Sequence, residues 1–151
     1  HLSGGYNMLC SAIETVKDYC DENNLIKPII LGVSVLTSID NSDLNVLGIS
    51  GKVEDQVKRL ADLAIKSGLN GLVCSAKELT LIKKYVKDDL LIVTPGIRPI
   101  GASINDQKRI VTPLEAIKCG ADFLVIGRPI TKAKDPQIAL NNICLDIADE
   151  K

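Results

Sequence analysis

The sequence predicts an α/β fold built on a parallel sheet, and three observations predict it. Strand-length apolar runs alternate with helix-period segments along the whole chain. The runs are close to continuously apolar, as in strands covered on both faces. The last run passes directly into Val125-Ile126-Gly127-Arg128-Pro129, a strand end suited to gripping an anion.

The elements follow in order. A helix is expected over about 4–20, with Met8, Ala12, Ile13, Val16 and Tyr19 on one face. Residues 28–36 read as a strand, and a polar loop runs from Thr37 to about Gly51. A helix is expected over about 52–67, because Val53, Val57, Leu60, Ala61, Ala64 and Ile65 recur at steps of three and four. Gly68 stops it. Gly71 to Cys74 is a short strand, and Ser75 with Glu78 has capping-box spacing for a helix reaching about Val86. Residues 90–94 form the third strand, and a long polar loop covers about 96–110. Thr112-Pro113-Leu114-Glu115 joins a cap, a first-turn proline and a second capping box, and that helix ends at Gly120. Residues 122–126 form the fourth strand, and a final helix runs from Asp135-Pro136 to about Ala148. One helix and four strand–helix units fit a doubly wound sheet or half of a (β/α)8 barrel. A full barrel takes roughly 250 residues, and this chain has 151.

Composition narrows the function. The chain is 46% hydrophobic and 25% charged, with a net charge of −1, so neither a polyanion nor a membrane surface is an expected partner. Aromatic residues make up 3% and tryptophan is absent, which removes the usual stacking platforms for single-stranded nucleic acid. No apolar run reaches the roughly 18–20 residues that span a bilayer, and no leader pattern opens the chain. The five cysteines lack metal or redox spacing and read as buried thiols of a reducing compartment. The opening His1-Leu2-Ser3 and a single methionine at Met8 read as a portion of a longer protein.

Two arginines stand at consecutive strand ends, Arg98 in Thr94-Pro95-Gly96-Ile97-Arg98-Pro99 and Arg128 after Gly127. Glycine lets a backbone N–H approach an oxyanion, and arginine offers a planar fork of donors. In (β/α)8 barrels the phosphate site usually follows the last two strands. Plainer readings exist for each residue. Either arginine can pin its own loop or rim, Thr37 can close a turn, and a loop glutamine such as Gln107 is ordinarily solvated. His1 reads as structural, and Lys132 and Lys134 as solvated.

These motifs carry a resemblance. His1-Leu2-Ser3-Gly4-Gly5, Val33-Ser34-Val35-Leu36-Thr37-Ser38, Gly71-Leu72-Val73-Cys74-Ser75-Ala76, Thr94 to Pro99, Asp106-Gln107-Lys108-Arg109 and Val125 to Thr131 together resemble bacterial orotidine 5'-phosphate decarboxylase. The resemblance covers essentially the whole chain and matches the C-terminal part of that family. It implies a partial (β/α)8 TIM barrel, with residues 1–151 as one domain holding strands five to eight and the helix after strand four. It implies a cytoplasmic, homodimeric lyase that makes uridine 5'-phosphate from orotidine 5'-phosphate without metal or organic cofactor. Thr37 then matches the hydroxyl that contacts the pyrimidine, and Arg98, Gln107, Gly127 and Arg128 match the substrate-binding set. Of these, Gln107, Gly127 and Arg128 fall on the phosphate.

One departure matters. The family's catalytic Asp-x-Lys-x-x-Asp motif matches no segment here. Asp55-Gln56-Val57-Lys58 lies in an amphipathic helix and Lys87-Asp88-Asp89 in a turn. No catalytic residue is therefore expected in this chain, and alone it is expected to be inactive. Two rival readings are a sugar-phosphate barrel enzyme, and a non-catalytic remnant or nucleotide-phosphate-binding half of a split gene. An open half-barrel would also leave two strand edges unpaired, so marginal stability or an assembly that hides them is expected.

Overall fold

The computed structural model describes residues 1–86, 89–99 and 111–148. Gln107, Lys87, Asp88 and most of the 96–110 loop lie outside the described residues. A 3-10 turn at Leu2–Gly4 leads into α1 (Tyr6–Glu22), followed by β1 (Leu31–Val33), α2 (Asn41–Val46) and α3 (Val53–Ser67). Then come β2 (Gly71–Val73), a 3-10 turn (Ala76–Glu78), α4 (Leu79–Val86) and β3 (Leu91–Thr94). The chain continues through α5 (Pro113–Lys118), β4 (Phe123–Leu124), α6 (Arg128–Thr131) and α7 (Pro136–Ala148).

The sheet is parallel throughout, in the order β1-β2-β3-β4. Sequential order without a reversal decides between the two architectures. A doubly wound sheet turns back on itself at a switch point, whereas barrel strands follow one another around an axis. Among the described strands there is no switch point, so the order is that of a barrel arc.

The two faces of this arc differ. Leu72 and Ile92, partners across β2 and β3, are fully buried and share the main core with Val57, Ala61 and Ile82 of the helices. On the opposite face, Leu31 and Phe123 are substantially exposed. The expectation of strands covered on both faces therefore fails at β1 and β4. In a closed barrel the second face packs against strands across the axis, and the described strands form only one arc.

Local chemistry explains most element ends. Gly68 takes a left-handed conformation (φ 80°) at the end of α3, which a side chain would strain. The Thr112–Glu115 capping box forms: the Thr112 N–H and hydroxyl donate to Glu115 Oε2 at 3.0 and 2.7 Å. Several expectations need correction. The loop after Thr37 contains α2, capped by Asp40, whose Oδ1 accepts from the Ser42 and Asp43 N–H groups while its own N–H donates to Asp43 Oδ2. The buried face of α1 is Leu9 and Cys20, with Ile13 packed against the core, while Met8 and Tyr19 are exposed. That face is rotated by about one position from the expected stripe. Ser75 caps a 3-10 turn through the Lys77 N–H at 3.4 Å, and Glu78 is buried. No disulfide joins the cysteines, and only Cys20 and Cys74 are buried, with Cys144 exposed.

Candidate functional site

Parallel strands bring all their C-terminal ends to one rim. Just past β1, the Ser34 N–H and hydroxyl both donate to the Val73 carbonyl, at 3.0 and 2.7 Å. These two hydrogen bonds lock the end of β1 against β2. Thr37 follows in a turn closed by the Ile39 N–H donating to the Leu36 carbonyl at 3.0 Å, and Thr37 is half-buried.

Past β3, the fully buried Ile97 forms a parallel bridge with Val111, and the Arg98 N–H donates to the Val111 carbonyl at 3.1 Å. The Arg98 backbone is thereby anchored. Its side chain is buried, its Nη1 donates to the Ile97 carbonyl at 2.7 Å, and its Nε has no hydrogen-bond partner among the described residues. Such a guanidinium is held within the rim with donor capacity to spare.

Past β4, the chain turns at once. Val125 N–H still donates to Thr94 O at 2.9 Å. Gly127 then caps α6, its carbonyl accepting from the Ile130 and Thr131 N–H groups at 2.9 and 3.0 Å. A Cβ built on Gly127 would meet nothing within 4 Å. Among the described residues this glycine therefore has open space beside it. Arg128 is the first residue of α6 and is half-buried. Pro129 in the first turn removes a donor that has no helical partner.

The structure thus sets Thr37, Arg98, Gly127 and Arg128 on the same rim, past β1, β3 and β4. Gln107 lies outside the described residues. Lys132 and Lys134 are exposed, as their solvated reading requires. His1 caps the first 3-10 turn with its carbonyl, which accepts from the Gly4 N–H at 3.1 Å. The rim also buries Ser75 and Glu78 past β2, for which the sequence signalled only a helix cap. Chemically the rim carries two guanidinium groups and a glycine past the strand ends, residue types suited to an oxyanion.

Comparisons with known proteins place the chain in a family. The model of the Orotidine 5'-phosphate decarboxylase / HUMPS family matches residues 1–143. The orotidine 5'-phosphate decarboxylase of Aliivibrio fischeri (strain MJ11) is 47% identical over 148 residues, covering 98% of this chain and 62% of that protein. The enzyme of the same name from Vibrio atlanticus is 48% identical over 143 residues, 95% of this chain and 60% of its own length. The crystal structure of orotidine 5'-phosphate decarboxylase from Lactobacillus acidophilus superposes with a TM-score of 0.80 at 34% identity, covering 97% of this chain and 61% of that one. The chain therefore spans about three-fifths of the length of the relatives it matches.

Proposed function

The chain belongs to the orotidine 5'-phosphate decarboxylase / HUMPS family, and from that premise we propose that it forms the phosphate-gripping part of a decarboxylase acting on orotidine 5'-phosphate. In this reading residues 1–151 are one domain, the C-terminal portion of a (β/α)8 barrel. Uridine 5'-phosphate is the product and pyrimidine nucleotide synthesis the purpose, in a cytoplasmic homodimer.

The observation that carries the reading is the rim past β4, where Gly127 opens on empty space and Arg128 follows directly. The phosphate sits against the Gly127 backbone and the Arg128 guanidinium, joined by Arg98 and Gln107. Thr37 meets the pyrimidine. In decarboxylation a carbanion develops on the ring carbon that loses carbon dioxide, and an ammonium group must stabilise and then protonate it. The phosphate lies remote from that carbon, so its binding energy is available to organise the site and lower the barrier. This chain's residues supply the remote part. The Asp-x-Lys-x-x-Asp motif that would supply the proton is absent from its sequence. The isolated 151-residue polypeptide is therefore expected to bind nucleotide and turn none over.

Titration calorimetry tests the reading. Uridine 5'-phosphate should bind well ahead of uridine, and Arg128→Ala should weaken the nucleotide about hundredfold, as truncating one partner of a charged contact does. Equal affinity for uridine, or preference for a pentulose phosphate, would sink it. Decarboxylation by the purified chain, free of host enzyme, would overturn its inactivity.

A further inference from the structure

Exposed apolar side chains gather at both edges of the sheet. Phe123 and Val125 in and just past β4, Ile138 and Leu145 on α7, and Ile29 before β1 are each more than half exposed. Single exposed apolar residues are ordinary, whereas grouped ones mark an interface. Among the described strands, β1 and β4 are also the two with a neighbour on one side only. An open strand edge beside apolar surface is a template for further strands.

The elements of the arc constrain what fits there. Barrel closure takes eight parallel strands, and this arc supplies four. α1 precedes β1 and packs beside α3 in the main core, while α7 follows β4 and packs on α5. The gap flanking each edge strand therefore already holds a helix. A second copy set edge to edge would bring its own α1 into the gap that α7 fills, so two copies do not close. The complement is four parallel strands joined by three helices, with a strand at each end. A barrel of roughly 250 residues has about 30 in each strand–helix unit, so three units and a strand take roughly 100 residues. The 148 residues matched in the Aliivibrio fischeri enzyme are 62% of it, so the remaining 38%, roughly 90 residues, lies outside the match. The two lengths agree.

We infer that the β1 and β4 edges, with the apolar face between them, form a docking surface for a separate polypeptide of four parallel strands and three helices. That partner pairs with both edges and buries Phe123. The inference rests on the reading of the chain as part of a barrel, and not on which residues touch nucleotide.

The test co-expresses the full chain with the segment of the Aliivibrio fischeri enzyme that lies outside the match. Sedimentation should give a one-to-one complex. Amide exchange in β1 and β4 should slow about tenfold or more against the chain alone, because edge backbone becomes paired. Phe123→Lys replaces an exposed side chain, so it should leave the melting of the chain alone unchanged and weaken the complex about tenfold. Recovery of the chain without the segment overturns the inference. So does a self-assembled dimer that the segment fails to displace, or a complex indifferent to Phe123→Lys. None of these readouts uses nucleotide. A complex that forms and does not bind uridine 5'-phosphate would therefore defeat the proposed function and leave the docking surface standing.

Discussion

The centre of the sheet and its β4 rim are built on opposite terms. At the centre, Leu72 and Ile92 have no exposed surface and lie in one core with the helices. At the rim, Phe123 is 55% exposed, α6 buries none of its side chains, and α7 buries only Ile143. Two glycines condense the contrast. A Cβ on Gly71 would stand 2.6 Å from Leu31 Cδ2 and 2.7 Å from the Leu91 carbonyl oxygen, while one on Gly127 would meet nothing within 4 Å. The first glycine exists because neighbouring protein leaves no room. The second sits where the described residues leave room, which is the condition for admitting a further group.

The largest effect should come from the centre. Ile92→Ala removes a fully buried side chain and should cost about 3 kcal/mol in denaturant melts. Phe123→Ala, by contrast, should change stability by no more than about 0.5 kcal/mol. Comparable losses at the two positions would break the contrast, because they would mean that the face of β4 turned away from the helices is covered in solution.

Gly71→Ala should come next, destabilising by about 2 kcal/mol, since one of its two closest clashes, at 2.7 Å, is with the Leu91 backbone carbonyl, which cannot step aside. Gly127→Ala sharpens the comparison most. It should leave the melting transition unchanged and weaken uridine 5'-phosphate about tenfold, because the added methyl occupies ligand space alone. A melting shift without an affinity change would make Gly127 a structural glycine after all.

The same contrast governs what could be read from the sequence. The strands at 71–74 and 90–94 were legible because their apolar runs are buried by helices adjacent in the chain. The α3 helix was legible because its stripe is regular and Gly68 marks its end. The short α2 was not, since it buries only Leu44 and begins with an aspartate pair rather than the usual hydroxyl–glutamate cap. Exposure of β1 and β4 was hidden for a physical reason: an apolar strand reads the same whether or not anything lies across the barrel axis. At the rim, strand direction alone put Arg98 and Arg128 at the same end of the sheet, because parallel strands share their C-terminal end. Burial of Glu78 was illegible, because its spacing from Ser75 satisfies a cap that the structure does not use.

The smallest effect tests how far the surface between centre and rim matters. Glu115 on α5 receives hydrogen bonds from the Thr112 backbone N–H and, second, from the Thr112 hydroxyl, and these hold its carboxyl below the usual glutamate range. A carboxylate whose folded value is depressed stabilises fully above its unfolded value. That stabilisation fades as pH falls through the folded value, where the proton neutralises the accepting oxygen. Acidification through and below the ordinary glutamate range should therefore lower the melting temperature of wild type more than that of Glu115→Gln, whose amide accepts the same bonds at every pH. The difference should be small, since the group is exposed and one capping box is at stake. Parallel pH profiles for the two proteins would show that the α5 cap adds nothing to the fold, and that packing against β4 and α7 alone keeps this helix in place.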